Sequence, residues 1–177
     1  MNKRRLFVGI SLSEALKKRL VRDMAAWAPA KEALILTAPD NLHVTLFYIG
    51  FVEEEEVPEV CRKVGEACEG TPSFELTFTE TVLVDSPEHP KMIWLTGNPS
   101  EPLKNLREAI EKTFSSFVAS KKSFRPHVTL AKIKKSKWQK LPEKPKLKDN
   151  VLFVDPVESI SVFESLSING KRRYEAI

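Results

Sequence analysis

The tetrapeptide His-Val-Thr-Leu occurs twice in this chain, at residues 43–46 and 127–130. Each copy closes a segment that begins with a strand-like pattern and continues with a helix-like one, at residues 4–49 and 91–133. Such internal similarity predicts a divergent duplication. Because 177 residues are few for two independent domains, we expect one bilobal catalytic domain over residues 1–177, with pseudo-repeats at about 1–85 and 91–177.

The periodicity of hydrophobic residues predicts the secondary structure of both halves. Strand patterns occur at residues 4–10, 34–36, 42–49, 73–80, 91–96, 124–133, 157–163 and 172–177, with 82–84 extending the pairing of 73–80. Three helices carry the apolar stripes Leu16, Leu20, Met24 and Trp27; Val57, Cys61, Val64 and Cys68; and Leu103, Leu106, Ile110, Phe114 and Phe117. Two such β-rich halves, with their helices outside, would face one another across a cleft.

Composition and charge narrow the class of protein. With 42% hydrophobic and 29% charged residues, the chain is typical of a globular protein. Its apolar run at residues 6–12 is too short for a membrane span or a signal core, so we expect a cytoplasmic monomer without a membrane partner. Residues 132–148 contain eight lysines and one glutamate. This run either steers a polyanionic partner or forms a solvated, mobile face.

Each repeated tetrapeptide has the pattern of a strand that builds a site. Side chains alternate along a strand, so His43 and Thr45 share one face about 7 Å apart, while Val44 and Leu46 point into the core. The second copy repeats this arrangement with His127 and Thr129. Each strand thus offers an imidazole and a hydroxyl on one side and is anchored on the other.

Two imidazoles on facing strands suit phosphodiester chemistry. With ordinary pKa values of about 6.5, one can donate a proton while the other accepts one near neutrality. Two threonine hydroxyls could bind the non-bridging phosphate oxygens. The third histidine, His89, lies in a loop pattern and is interpreted as a surface residue. No nucleotide-binding glycine loop, hydrolase elbow or zinc motif is present, and two histidines 84 residues apart lack a third ligand, so we expect neither a metal nor another cofactor.

These motifs resemble those of a known superfamily. The matching segments are Leu6-Phe7-Val8, Asn41-Leu42-His43-Val44-Thr45-Leu46, Phe124-Arg125-Pro126-His127-Val128-Thr129-Leu130-Ala131 and residues 170–177. Together they resemble the two-histidine phosphoesterases, and within them the RNA 2′,3′-cyclic phosphodiesterases, also called 2′-5′ RNA ligases. The resemblance implies a bilobal α+β fold, in which two antiparallel sheets line a central cleft with helices outside, and no metal.

The resemblance also implies a substrate and a role for each motif residue. RNA ends or nucleotides that bear a cyclic phosphate would bind the cleft. His43 would protonate the departing 3′ oxygen, His127 would activate the attacking water, and Thr45 and Thr129 would hold the phosphoryl oxygens. The product would be a 2′-phosphomonoester, with 2′-5′ ligation as the reverse reaction.

Two other functions stay open at this point. One is a phosphodiesterase for 2′-5′ oligonucleotides or small cyclic nucleotides. The other is a catalytically silent module that binds nucleotides or RNA, although both motifs retain their histidine and threonine.

Three further residues are candidates for substrate binding. Lys132 stands where family members often have arginine, but simple alternation places it opposite His127. It therefore either reaches phosphate through a bulge in the strand or is an ordinary surface lysine. In an alternating strand, Arg125 points to the same side as His127, and it either contacts phosphate or lies at the surface. Phe47 points to the same side as His43, so it either flanks the cleft and stacks on a base or packs in the sheet. Tyr48 should then face the core.

Overall fold

The computed structural model describes residues 2–114, 124–148 and 150–177. Its strands are β1 (Lys3–Ser11), β2 (Leu34–Leu36), β3 (His43–Glu53), β4 (Glu75–Phe78), β5 (Glu80–Asp85), β6 (Pro90–Thr96), β7 (His127–Ile133), β8 (Phe153–Pro156), β9 (Ser161–Ile168) and β10 (Lys171–Ala176). Its α-helices are α1 (Glu14–Ala25), α2 (Val57–Cys68), α3 (Glu101–Thr113) and the short α4 (Lys135–Gln139). The fold is α+β, as the sequence predicts.

The larger sheet is antiparallel and consists of two halves. The strand order is β10-β9-β1-β3 in one half and β7-β6-β5 in the other, and β2 pairs with β7 beside β3. Strands β3 and β7 join at a single residue pair, Val44 with Val128, which are the second residues of the two repeated tetrapeptides, and β2 adds three pairs with β7. Strands β4 and β8 form a separate antiparallel pair. The arrangement therefore brings the two motifs to the seam of the molecule.

Each half has the same local order around its motif strand. β1 and β3 pair antiparallel with α1 between them in the chain, and β6 and β7 pair antiparallel with α3 between them. The pseudo-duplication remains a prediction, and this shared order supports it.

One apolar core lies between the sheet and the helices. The buried helix residues are Leu16, Leu20 and Met24 of α1; Val57, Val60 and Val64 of α2; and Leu103, Leu106 and Ile110 of α3. In α2 the predicted stripe is partly wrong, because Val60 is buried whereas Cys61 and Cys68 are half-buried free thiols at the edge of the core. Phe117, predicted in the stripe of α3, lies outside the described residues.

Two predicted strands differ in the structure. Residues 73–84 form not one pairing but two, since β4 joins β8 while β5 joins β6. The strand predicted at 157–163 is wrong in its bounds, because Val157 follows the end of β8 and its backbone N–H bonds the carbonyl of Phe74 instead. Backbone partners far along the chain thus override the local alternation.

Both motif strands carry a bulge at the same position. In β3 the residues paired with β1 pass from Thr45 to Phe47 and skip Leu46. In β7 the residues paired with β6 pass from Thr129 to Ala131 and skip Leu130. An extra residue in one strand inverts the alternation beyond it. The fourth residue of each tetrapeptide therefore resets which side chains face the cleft.

A glycine permits the close strand approach next to the first bulge. Gly9 pairs with Thr45, and a Cβ at Gly9 would lie 2.8 Å from the carbonyl oxygen of Val44. Any larger residue here would push β1 away from β3 beside the motif.

The lysine-rich run exposes all eight of its lysines to solvent, but it is anchored to the rest of the fold. Trp138 of α4 is buried, and Lys148 pairs with Asp23 at 2.9 Å. The backbone carbonyl of Lys148 also accepts hydrogen bonds from the amide and hydroxyl of Thr81.

Among the residues that the structure describes, none of the helices has the length and apolar character that spanning a membrane requires.

Candidate active site

The four motif side chains share one face of the sheet at its seam. Val44 and Val128 are paired and fully buried, so their neighbours in both strands point to the opposite face. Because the strands are antiparallel, Thr45 lies on the side of His127 and Thr129 on the side of His43. The fold therefore places each histidine across the seam from the threonine of the other motif, while His43 also contacts the hydroxyl of its own motif.

The imidazole of His43 is held on both nitrogens. Nδ1 lies 2.7 Å from the backbone carbonyl oxygen of Asn41, and Nε2 lies 3.0 Å from Oγ1 of Thr45. A carbonyl oxygen only accepts, so Nδ1 carries a hydrogen and Nε2 is the basic nitrogen of the neutral ring. The ring packs against Phe7 and meets Tyr174 edge-on, both with centroids 4.9 Å away.

The imidazole of His127 is fixed in the same tautomer. Its Nδ1 lies 2.9 Å from the carbonyl oxygen of Arg125, also two residues upstream. The ring stacks on Trp94, with centroids 3.7 Å apart and planes 18° from parallel. Within the described part of the chain, its Nε2 has no hydrogen-bond partner and so remains free to exchange protons with a substrate or water.

A buried hydroxyl supports the strand end that carries His127. Thr96, paired with His127 across β6 and β7, donates its hydroxyl hydrogen to the carbonyl oxygen of Pro126 at 2.9 Å. Pro126 directly precedes His127, so this bond fixes the backbone where the motif begins.

Burial lowers the pKa of both histidines below the ordinary value. For His43, desolvation outweighs the raising effect of the hydrogen bond to Asn41, and a positive charge on His127 lowers the pKa further. For His127, desolvation likewise outweighs the bond to the Arg125 carbonyl, and the guanidinium of Arg125 adds to the lowering. Because each charge disfavours the other, a singly protonated pair is favoured over a doubly protonated one.

A polar cleft of about 270 Å³ opens beside His43. It is lined by Arg5, Leu6, Phe7, His43, Tyr48, Lys132, Ser165, Arg172 and Tyr174. Three of these side chains are cationic and none is acidic. The cleft therefore favours an anionic ligand next to the imidazoles.

The bulges decide which of the predicted binding residues reach the cleft. Phe47 does not: it is buried at 8% exposure and stacks on Phe114, so its prediction as a cleft residue is wrong. Tyr48, predicted in the core, lines the cleft instead. In β7 the equivalent inversion brings Lys132 into the cleft, five residues after His127, as Tyr48 is five after His43.

Arg125 lies beside the site without lining the cleft next to His43. Its guanidinium pairs with Glu80, and its backbone carbonyl holds His127. A contact between Arg125 and phosphate stays a prediction.

Several site residues escaped the sequence analysis. Asn41 and Trp94, which orient the two imidazoles, and Arg5, Arg172 and Tyr174 of the cleft were not singled out. The only available signal was that Asn41 and residues 170–177 belong to the segments of the resemblance. Within the described residues, no group of three or more His, Cys, Asp or Glu side chains is placed to hold a metal ion.

The site combines two imidazoles in the same tautomer, hydroxyls on the same face and a basic cleft. This combination is typical of a two-histidine phosphoesterase. The model of the family described as the 2′-5′ RNA ligase superfamily matches residues 14–160. The chain belongs to this superfamily.

Curated relatives agree with this assignment. A protein of Thermotoga maritima named RNA 2′,3′-cyclic phosphodiesterase is 27% identical over 142 residues, covering 78% of this chain and 76% of the relative. A protein of the same name from Methanothermobacter thermautotrophicus is 23% identical over 131 residues, covering 73% and 71%.

Solved structures show the same fold. LigT of E. coli in its apo form superimposes with a TM-score of 0.80 at 22% identity, covering 100% of this chain and 96% of LigT. TT0787 of Thermus thermophilus superimposes with a TM-score of 0.81 at 21% identity, covering 98% and 94%.

Proposed function

We propose that this protein hydrolyses 2′,3′-cyclic phosphate ends of RNA to 2′-phosphomonoesters through paired acid and base catalysis by His43 and His127. One observation carries the proposal: each imidazole has its Nδ1 bound to the backbone carbonyl two residues upstream. Nε2 is therefore the nitrogen that each ring can use in catalysis, although in His43 the substrate must share it with the hydroxyl of Thr45, 3.0 Å away. Two such nitrogens can donate one proton and accept another in the same step.

The step balances without a further reactant. Water attacks phosphorus and loses a proton to Nε2 of neutral His127, while the bond from phosphorus to the 3′ oxygen breaks. Protonated His43 gives its Nε2 hydrogen to that oxygen, which leaves as a hydroxyl. The two histidines exchange protonation states, and solvent restores them. The assignment of acid and base follows the family resemblance, since the hydrogen bonds of the two imidazoles to backbone are alike.

Hydroxyls and one cation stabilise the phosphate in this account. Thr45 and Thr129 lie on the same face as the imidazoles and can donate to the non-bridging oxygens. Lys132 lines the cleft and places positive charge where the transition state becomes more negative. Lysine keeps the charge of the family's arginine but gives up a bidentate contact.

The direct test is incubation with an RNA oligonucleotide that ends in a 2′,3′-cyclic phosphate. We expect a phosphomonoester whose phosphate, located by phosphorus NMR, lies on the 2′ oxygen. The protein with His127→Gln serves as the matched control, since glutamine keeps a hydrogen-bonding side chain but cannot act as the base. If the purified protein binds the RNA and leaves the cyclic phosphate intact, the proposed function is wrong.

A further inference from the structure

Three cations of the cleft lack acidic partners. No carboxylate among residues 2–114, 124–148 and 150–177 lies within 4 Å of the charged groups of Arg5, Lys132 or Arg172. Five arginines outside the cleft do have such partners, namely Arg4, Arg62, Arg107, Arg125 and Arg173, whereas no ion pair involves Arg19 or Arg22 of α1 within the described residues. Lys132 reaches the reacting phosphate in our proposal, which leaves Arg5 and Arg172 without an assigned role.

Two aromatic rings lie exposed next to these arginines. Tyr48 and Phe51 are 69% and 70% exposed, higher fractions than any other large hydrophobic side chain among the described residues. In the register of β1 and β3, Tyr48 lies opposite Phe7 and Phe51 lies opposite Arg5. A second bulge in β3 skips Ile49, which is buried, and so brings Tyr48 and Phe51 to the same face although they are three residues apart. Phe7 and Arg5 are two residues apart in β1, so all four side chains point to the cleft face.

From the cleft beside His43, which Arg5, Tyr48 and Arg172 line, this surface continues along β3 to Phe51. We call Arg5, Tyr48, Phe51 and Arg172 the aromatic-basic strip. His43 pairs with Ser11 and Phe51 pairs with Arg5, six residues away in β1, so Phe51 lies about 20 Å from His43 at a rise of about 3.3 Å per residue. A ligand held at His43 must extend over about that distance to reach Phe51, so a single nucleotide would leave the far end of the strip empty.

Exposed rings alternating with free cations match single-stranded nucleic acid. Bases stack on aromatic side chains regardless of their sequence, and arginines pair with the phosphates between them. Tyr48 contacts Phe7 with ring centroids 6.1 Å apart, yet both exposed rings leave more than two thirds of their surface to solvent, where a stacked base would cover them.

We propose that the aromatic-basic strip binds the nucleotides on the 5′ side of the cyclic phosphate, which makes single-stranded oligoribonucleotides the preferred substrates. This inference rests on the proposed function, because it assumes that the cyclic phosphate sits at the histidines. It specifies the path of the RNA, which crosses β1, β3 and β10 and leads away from the half of the sheet that contains β5 and β6.

The test compares substrates of one to four nucleotides that share the same 2′,3′-cyclic terminal nucleotide. In the unmodified protein, kcat/KM should rise at least tenfold from mononucleotide to tetranucleotide, mainly through KM. Phe51→Ala and Arg5→Ala should each lower the ratio of the two values by roughly fivefold or more, the scale of one lost base stack or phosphate contact. Arg5→Ala should also reduce the salt dependence for the tetranucleotide by about 0.7 in the logarithmic slope, as expected for one phosphate contact.

Matched controls lie outside the strip. Leu152→Ala removes a side chain that is 67% exposed, and Arg22→Ala removes an exposed arginine on α1, and neither residue lines the cleft. Both variants should keep the length preference and the salt slope of the unmodified protein.

The outcomes separate the two proposals. If the mononucleotide is hydrolysed but length has no effect, or if strip and control variants behave alike, the inference is wrong and the proposed function stands. If no cyclic phosphate is hydrolysed, the proposed function is wrong. The strip is then judged by fluorescence anisotropy with a labelled single-stranded tetranucleotide, and equal affinity of the unmodified and Phe51→Ala proteins overturns it.

Discussion

Asn41 connects His43 to the last strand of the sheet. Its backbone carbonyl oxygen lies 2.7 Å from Nδ1 of His43. Its side-chain amide donates to the carbonyl of Arg172 at 2.8 Å, and its side-chain oxygen accepts from the backbone N–H of Tyr174 at 3.0 Å. Since Tyr174 also packs edge-on against the imidazole, one asparagine sets both the tautomer and the position of the ring.

Asn41→Ala should therefore impair catalysis through His43. Losing both bonds to β10 frees the carbonyl that orients Nδ1, and a displacement of about 1 Å can cost up to roughly 100-fold in rate. We expect kcat to fall by about tenfold or more. We also expect a shift in the apparent pKa of the side of the kcat profile that reflects His43. Steady-state kinetics across pH measures both. Asn105→Ala, an exposed asparagine on α3, is the matched control. An unchanged pH profile would show that Asn41 does not act through His43.

Replacing either motif histidine should abolish most turnover. Removal of a general acid or base typically costs 10² to 10⁴-fold, or roughly 3 to 5 kcal/mol of barrier, so His43→Ala and His127→Ala should each lose about that much kcat. Both side chains lie on the cleft face, and thermal melts should show that the fold persists. His89→Ala, in an exposed loop, should retain activity. Near-full activity in a folded His43 or His127 variant would contradict the paired mechanism.

The two threonines should matter less than the histidines. Each supplies one hydroxyl, and a hydrogen bond to a charged group is worth about 1.5 to 3 kcal/mol. Thr45→Ala and Thr129→Ala should therefore lower kcat/KM by roughly 10- to 100-fold, and the corresponding serine variants should recover most of it. Serine variants as slow as the alanine variants would mean that the methyl groups, not the hydroxyls, are needed.

The strands that carry the site were predictable, but the exact facing of their later residues was not. Alternation placed His43 and Thr45 correctly, because Val44 is buried at the seam. Beyond Leu46 the bulge exchanges the faces of Phe47 and Tyr48, and both are aromatic, so residue type gives no warning. In β7 the signal was stronger, since the charged Lys132 follows two apolar residues where simple alternation requires it to be buried.

The residues that orient the two imidazoles are brought together by contacts between segments that lie far apart in the sequence. Asn41 and Tyr174 are 133 residues apart, and they meet only because β10 pairs with β9 and β9 with β1. Trp94 stacks on His127 through the register of β6 with β7, which itself includes a bulge. No local pattern contains this information.

Activity should persist after treatment with EDTA. The two imidazoles perform both proton transfers in the proposed step, and Lys132 supplies positive charge at the phosphate. Initial rates with the cyclic-phosphate substrate, measured before and after chelation, should agree within error. Complete loss of activity that added metal restores would favour a metal-dependent phosphodiesterase.

The kcat profile should lie at higher pH than the kcat/KM profile. A bound phosphate anion favours the protonated imidazole and raises its pKa, so substrate opposes the lowering that burial causes in the free protein. Parallel measurement of both parameters over pH checks this displacement. Coincident profiles would mean that the phosphate does not sit beside the histidines.

The dependence of kcat/KM on pH tests the paired mechanism most directly. At low pH both histidines are protonated and no base remains, whereas at high pH both are neutral and no acid remains. Because burial lowers both pKa values, we expect a bell whose centre lies on the acid side of about 6.5, the pKa of an unperturbed imidazole. A rate that changes in one direction only between about pH 4 and pH 9 would contradict the account.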